Sequence, residues 1–107
     1  MWVNMSFAKM SEAYEKEGLP VLYSPKNMQV MTSARGFIAG YALFKHGDHT
    51  QGCSLSIWES QEDAEAFFAS PEYAAMVGEI RQYIVERPER QVFDVAVDMK
   101  EVAKGEA

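Results

Sequence analysis

Residues 36–58 read Gly-Phe-Ile-Ala-Gly-Tyr-Ala-Leu-Phe-Lys-His-Gly-Asp-His-Thr-Gln-Gly-Cys-Ser-Leu-Ser-Ile-Trp, and this stretch predicts an antiparallel hairpin. Its first part, 36–45, is rich in aromatic and branched residues and starts at a glycine, which is typical of a strand. The polar segment 46–52 contains two glycines and suits the connection. A second strand follows, in which one face carries Cys53, Leu55 and Ile57 and the other carries Ser54, Ser56 and Trp58.

A helix in two parts is predicted after the hairpin. Ser60 is followed three residues later by Asp63, which resembles a capping box with Asp in place of the usual Glu. Ser70 and Pro71 fit the N-cap and the first residue of a restarted helix. Apolar residues then recur at helical spacing as far as Ile84, so we expect the second part to extend to that residue.

The two ends of the chain supply the remaining elements. The alternating segment 2–7 predicts a first strand, and 91–99 alternates again and predicts the last strand. Between the first two strands, 11–34 contains helix formers interrupted by prolines at positions 20 and 25. Each proline fits the start of a helical segment, so we expect an irregular, segmented helix.

The resulting β-α-β-β-α-β order is typical of the ferredoxin-like α+β fold, with a four-stranded antiparallel sheet and two helices. We expect one such domain over 1–99 and a charged C-terminal tail over 100–107. The strand around 37–44 is apolar on both faces, and one face of the last strand is apolar as well. Two helices cover only one face of a sheet. Because monomers rarely expose a large apolar patch, we expect a homodimer that pairs face to face.

Composition narrows the class of protein. The chain has 107 residues and a net charge of −6, with 16 acidic against 10 basic side chains. This balance argues against a nucleic-acid binder and against attachment to an anionic membrane, since both need basic surfaces. One cysteine excludes an internal disulfide, and we expect no signal peptide and a cytoplasmic location. Two histidines and one cysteine make a structural zinc site hard to assemble, so no metal is expected.

Three segments resemble the antibiotic biosynthesis monooxygenase family. They are Arg35-Gly-Phe-Ile-Ala-Gly-Tyr, Leu55-Ser-Ile-Trp-Glu-Ser, and Asp63-Ala-Glu-Ala-Phe-Phe-Ala-Ser-Pro-Glu-Tyr. The resemblance covers about 1–99 and implies a dimeric α/β barrel, in agreement with the face argument above. It also implies oxygenation of a small planar aromatic, such as a hydroquinone or an anthrone, without any cofactor. In such members a bound phenol is deprotonated, and the substrate anion itself then reacts with dioxygen. A rival function is a non-catalytic ligand-binding or stress-associated protein on the same dimeric fold.

Two residues match positions that the family uses. A haem-degrading branch has an Asn on the first strand, a Trp on the third and a His on the second helix; Asn4 and Trp58 match the first two. No histidine follows Pro71 in the second helix, so haem degradation is not expected. Asn4 either orients a substrate oxygen or meets water on an edge strand. Trp58 either walls a pocket or packs under the second helix.

Further candidates for substrate binding are polar or aromatic. Tyrosine hydroxyls could donate to a quinone-like oxygen, or their rings could belong to the core. The candidate residues for substrate binding are Ser54, Tyr41, Tyr73, Tyr83 and His46. His46 and the nearby His49 could assist proton transfer, or they could simply be solvated in the hairpin turn. Arg81, Arg87 and Arg90 could stabilise an oxyanion, although ion pairs with neighbouring glutamates are the commoner reason for such arginines.

Overall fold

The computed structural model describes residues 1–105. Its four strands are β1 (Trp2–Met10), β2 (Phe37–Lys45), β3 (Asp48–Trp58) and β4 (Ile84–Asp94). Its α-helices are α1 (Leu19–Leu22), α2 (Pro25–Thr32), α3 (Gln61–Phe68), α4 (Pro71–Ile80) and α5 (Met99–Ala103). The strands form one antiparallel sheet in the order β2-β3-β1-β4, which confirms the predicted α+β ferredoxin-like fold. No helix within 1–105 has the length and apolar character that crossing a membrane requires.

The predicted hairpin is present as β2 and β3, and a glycine sets the start of β2. Gly36 has a φ of +81°, a conformation that L side chains rarely adopt. Its carbonyl accepts a hydrogen bond from the Glu59 backbone N–H at 2.8 Å, which holds the turn against the end of β3. A Cβ atom at position 36 would lie 2.6 Å from the Cβ of Asp63 in α3. Only a glycine therefore lets this turn and the start of α3 approach so closely.

The segmented helix predicted between the first two strands is also present. A π-helical turn over Tyr14–Gly18 leads into α1, and Ser24 caps α2 by accepting from the Asn27 backbone N–H at 3.2 Å. The buried Asn27 side chain donates to the carbonyls of Val21 at 3.0 Å and Leu22 at 3.2 Å. The Val21 carbonyl also accepts from the Ser24 backbone N–H at 3.3 Å, so Asn27 adds to that bond and gives the Leu22 carbonyl at the end of α1 a partner.

Both predicted N-caps of the second helical part are confirmed. Ser60 Oγ accepts from the Asp63 backbone N–H at 3.1 Å, and Ser70 Oγ accepts from that of Tyr73 at 3.2 Å. The prediction that the helix extends to Ile84 is wrong, because α4 ends at Ile80 and one 3₁₀ turn separates it from β4. The side chain of Ile80 completes the buried helical stripe, while Ile84 already pairs with Met10 of β1.

The last strand lies earlier than predicted. It spans Ile84–Asp94 rather than 91–99, because β1 offers partners only from Met10 back to Trp2. Pro88 therefore lies within β4 and not before it. The register of β1 and β4 shifts at this position, between the pairs Phe7–Glu89 and Lys9–Glu86. A proline is tolerated there because β4 is an edge strand. At the irregular position the pairing with β1 does not need the backbone N–H that proline lacks.

The chain after β4 does not continue the sheet. The Val95 backbone N–H still donates to the Met1 carbonyl at 3.0 Å, but β1 offers no further partner. Asp98 then caps the short helix α5, so part of the segment expected as a charged tail is helical within the described residues. In the predicted strand 91–99, one apolar face consists of Phe93, Val95, Val97 and Met99. Only Phe93 lies in β4, so the prediction is wrong for the other three residues.

Strand pairing assigns each residue of the sheet to a face. Trp2 pairs with Trp58 and Asn4 with Ser56, and all four are buried under the helices. The alternate residues lie on the other face, which we call the open face. No element within residues 1–105 covers the open face, and Tyr41 on it is 60% exposed. Its residues are Val3, Met5, Phe7, Tyr41, Leu43, Cys53, Leu55, Ile57 and Phe93.

Candidate functional site

A cavity of about 180 Å³ lies between the covered face of the sheet and the helices α1, α2 and α4. It separates two clusters of buried side chains, one centred on Trp58 and the other on Met10, Tyr14 and Ile80. Its walls are mostly apolar, with methionines and aromatic rings prominent among them. This volume exceeds that of the engineered apolar cavity, about 150 Å³, which is known to bind benzene in another protein, so one small planar ring fits. The position between sheet and helices is the one expected for a ligand pocket.

Polar side chains reach the cavity from the sheet and from two helical segments. Asn4 of β1 and Ser54 of β3 come from the sheet, and Tyr23 and Tyr73 come from the opposite side. The Tyr23 hydroxyl donates to Ser54 Oγ at 3.3 Å, which links the end of α1 to β3. The cavity therefore combines an apolar body with a few donors, the arrangement that orients small ligands.

Asn4 is 4% exposed, and β1 lies between β3 and β4 rather than at an edge. The alternative in which Asn4 meets water on an edge strand is therefore wrong. The Nε–H of Arg90 in β4 donates to Oδ1 of Asn4. Since arginine only donates, the amide oxygen must face Arg90 and the NH₂ group must point the other way. No hydrogen bond within the described residues uses this NH₂ group, and Asn4 borders the cavity.

Arg90 also packs against the aromatic wall. Its guanidinium carbon lies 4.4 Å from the ring centroid of Phe68, which lines the cavity, and 6.0 Å from that of Trp2. Such contacts stabilise a cation over an aromatic face. The expected ion pairs of Arg81, Arg87 and Arg90 with glutamates are not found among the described residues, whose ion pairs involve other groups. The guanidinium of Arg90 instead contacts Asn4 and Phe68, which line the cavity.

The tyrosines at the cavity hold their protons strongly. Burial raises the pKa of Tyr14, Tyr23 and Tyr73 above the ordinary value of 10.0. For Tyr73 the nearby positive charge of Arg90 acts in the opposite direction and partly offsets burial. Burial likewise raises the pKa of the Cys53 thiol. Near neutral pH these groups are therefore hydrogen-bond donors and not bases.

Trp58 lies in the core behind the cavity and is not among its lining residues. Its side chain is 0% exposed, and its ring contacts those of Phe37, Phe67 and Phe68 at centroid distances of 5.4, 5.5 and 5.8 Å. This is the predicted packing role under the second helical part. Because Phe68 lines the cavity, Trp58 supports its wall indirectly.

The structure brings only some of the predicted site residues together. Asn4, Ser54 and Tyr73 meet at the cavity. Tyr41 lies on the open face, on the other side of the sheet, and Tyr83 packs its ring 6.2 Å from that of Tyr14. His46 is exposed in the hairpin turn, away from the cavity.

Several residues at the site were not predicted. Tyr14, Tyr23 and the methionines of α2 come from the segment in which local patterns are most interrupted. Arg90 was expected only as one member of an ion-pair group. The single signal for Arg90 in the sequence is strand alternation. Arg90 lies two residues before Val92, so both residues belong to the same strand face.

Comparison with known proteins identifies the fold. No model of a protein family matches the chain, and no curated protein matches it in sequence. Solved structures do match. One is a candidate antibiotic biosynthesis monooxygenase from Nitrosomonas europaea, 14% identical, with a TM-score of 0.74 over 91% of this chain and 100% of that chain.

Two further structures extend the comparison. A candidate antibiotic biosynthesis monooxygenase from Caulobacter crescentus is 10% identical, with a TM-score of 0.78 over 90% of each chain. SnoaB, a cofactor-independent oxygenase from Streptomyces nogalater, is also 10% identical, with a TM-score of 0.75 over 92% of this chain and 95% of that one. The resemblance seen in the sequence is thus confirmed at the level of the fold: this chain has the α+β fold of structures named as antibiotic biosynthesis monooxygenases.

Proposed function

We propose that this protein is a cofactor-independent monooxygenase that binds a small planar aromatic substrate, hydroquinone-like or anthrone-like, in the cavity. The observation that carries the proposal is Asn4, which is 4% exposed, borders an apolar cavity large enough for one ring, and has an NH₂ group that makes no hydrogen bond within the described residues. The shared fold with SnoaB, a cofactor-independent oxygenase, supports the same reaction class. Among the described residues no buried side-chain nitrogen lacks a partner, so this NH₂ group is accessible and can donate to a ligand oxygen.

In the proposed reaction the substrate supplies all of the electrons. In an anthrone-like substrate the ionised CH₂ carbon reacts with dioxygen, and one oxygen atom stays on that carbon as a carbonyl. The other oxygen leaves as water and takes the two hydrogens that the reacting carbon loses. The protein contributes orientation, an apolar enclosure and hydrogen bonds to the substrate oxygen.

Specific side chains have proposed roles in this reaction. Asn4 donates to the substrate oxygen, and the hydroxyls of Ser54 and Tyr73 are additional polar contacts for the ring substituents. Trp58 acts as a positioning residue, because it holds Phe68 against the cavity. Tyr41, Tyr83 and His46 are not among the described residues that line this cavity and have no part in the proposed contacts.

The test is oxygen uptake by metal-stripped protein with a panel of hydroquinones and anthrones, in chelator and beside a blank for autoxidation. We expect protein-dependent uptake that falls about 100-fold to 1,000-fold in Asn4→Leu, the range for loss of one oxyanion donor. The control is Gln61→Leu, which removes an exposed amide from α3 and should leave the rate unchanged. Uptake equal to the blank for the whole panel, or equal rates for the wild type and Asn4→Leu, would contradict the proposal.

A non-catalytic ligand-binding protein is the second candidate. It is favoured by one observation: among the described residues that line the cavity there is no Asp, Glu, His or Lys to move a proton. Binding of an aromatic ligand raises the melting temperature whether or not turnover follows. Thermal stabilisation by members of the panel without oxygen uptake would select this function.

We also propose that the protein acts as a homodimer. The open face is apolar, and the exposed fractions of Tyr41 and Phe93 on it are 60% and 47%. An uncovered face of this kind is unusual in a monomer, and a two-fold axis would bury it against an identical face.

A further inference from the structure

We propose that the cavity takes its aromatic ligand as a preformed oxyanion, a phenolate or enolate, and holds the charged oxygen at the end where Arg90 meets Asn4. The inference deepens the proposed function, since it concerns the ligand of the same cavity. It names the class of ligand as phenols and enols acidic enough to ionise in water near neutral pH.

The positive charge of Arg90 lies immediately behind the lining of the cavity. Its guanidinium contacts two lining side chains, Asn4 through a hydrogen bond and Phe68 through its ring face at 4.4 Å. A hydrogen bond from a cation to the amide oxygen polarises the amide, so the NH₂ group becomes a stronger donor toward the cavity. The effect of Arg90 on the pKa of Tyr73 shows that its field extends to this wall.

The cavity offers no acceptor for a proton. The titratable side chains on the cavity side are Tyr14, Tyr23 and Tyr73, since Cys53 lies on the open face, and burial raises the pKa of all three above 10.0. A phenol that entered in its neutral form would therefore find donors but no base within the described lining. Ionisation has to take place before entry, in solvent.

Charged groups on the neighbouring elements do not alter this balance. Glu15, beside the π-helical turn, lies 2.7 Å from Nδ1 of exposed His49, and Glu79 of α4 accepts from Asn27 at 3.3 Å. Glu89 precedes Arg90 in β4 and pairs with Phe7, which places it on the open face. These carboxylates are exposed and do not line the cavity, so they do not neutralise the Arg90 charge from within it.

Two opposing effects decide which form of the ligand binds. An apolar cavity disfavours an anion because the anion loses hydration. The polarised Asn4 amide and the Tyr73 hydroxyl offset that loss by direct hydrogen bonds, and the exposed Arg90 adds a solvent-screened attraction. A neutral phenol gains much less from the same donors and cation.

The probe that tests this is 4-nitrophenol, whose neutral and ionised forms differ in visible colour. Bound dye is measured by absorbance against pH, with 4-nitroanisole as the matched ligand that cannot ionise. We expect the wild-type protein to bind the phenolate about tenfold more tightly than the phenol, so that the bound dye ionises at a pH about one unit lower than free dye. Nitroanisole affinity should not change over the same pH range.

Three variants separate the role of Arg90 from a purely structural one. Arg90 is exposed, so Arg90→Gln should fold and lose the preference for the anion, while Arg90→Lys should retain part of it. Asn4→Asp keeps a partner for Arg90 but replaces the donor by an acceptor, so it should favour the neutral phenol. Melting temperatures verify folding in each case.

The results distinguish this inference from the proposed reaction. Bound dye that stays in its neutral form, a dye that does not bind, or an unchanged anion preference in Arg90→Gln would overturn the inference. Preferential binding of the phenolate without any oxygen uptake would uphold it and remove the monooxygenase. Oxygen uptake together with binding of the neutral phenol would support the monooxygenase and overturn the inference.

Discussion

The indole Nε1–H of Trp58 donates to Oγ of Ser56, two residues earlier in β3, at 2.9 Å. Their exposed fractions are 0% and 1%, so the bond is shielded from water. Because alternate residues of a strand share a face, the serine is placed to satisfy the one polar atom of the tryptophan ring. The largest ring of the core is therefore buried without an unsatisfied donor.

Removal of either partner should destabilise the protein. We expect Ser56→Ala to lower the free energy of unfolding by about 1–3 kcal/mol, since it leaves the indole N–H buried without an acceptor. Trp58→Ala should cost about 3–5 kcal/mol through the cavity it creates. Urea unfolding measures both. A Ser6→Ala variant, on the same sheet face in β1, serves as control for loss of a serine, and equal stability of Ser56→Ala and wild type would contradict the role of the bond.

The turn at Gly36 should not accept a side chain. Gly36→Ala combines a positive φ with a collision against Asp63, and we expect it to lower the free energy of unfolding by about 1–3 kcal/mol. Gly47 has a φ of +88°, and a Cβ atom added there would have no neighbouring atom within 4 Å, so Gly47→Ala measures the cost of the backbone conformation alone. If both variants unfold at the same urea concentration, the close approach to α3 has no energetic effect.

The cavity tyrosines predict a loss of stability in alkali. The pKa of Tyr14, Tyr23 and Tyr73 is raised in the folded protein above 10.0, so the unfolded chain releases these protons first. The associated stability is complete below pH 10 and declines as the pH rises above it. We expect tyrosinate absorbance and loss of circular dichroism to develop together, with a higher pH midpoint for Tyr23→Phe. Full tyrosine ionisation in a protein that remains folded would contradict this.

A charge on the open face should weaken the proposed dimer. Leu43→Glu introduces the charge twice across a two-fold axis, and we expect at least about tenfold weaker association, or about 1.4 kcal/mol. Val30→Glu makes the same kind of change on exposed α2 and should leave association unchanged. Light scattering over a dilution series reports the mass. A wild-type protein that stays at 12.1 kDa at micromolar concentration would exclude the dimer.

The amino-acid sequence was enough to predict those strands and helices whose signals lie in neighbouring residues. The alternation in β3 separates Ser56 and Trp58 from Leu55 and Ile57, and Ser60 and Ser70 begin helices because their side chains reach a backbone N–H three residues away. Signals of this kind act within one turn or one strand, so they can be read along the chain. They were sufficient to predict the order of the elements and the fold.

Tertiary structure alone decided how distant segments meet. Asn4 and Arg90 are 86 residues apart, and Tyr23 and Ser54 are 31 apart, so no local pattern relates them. The bounds of β4 depend on where β1 has partners to offer, which is why Ile84 belongs to a strand although its spacing suggests a helix. Strand register and helix packing set these contacts, and both are properties of the folded sheet rather than of any one segment.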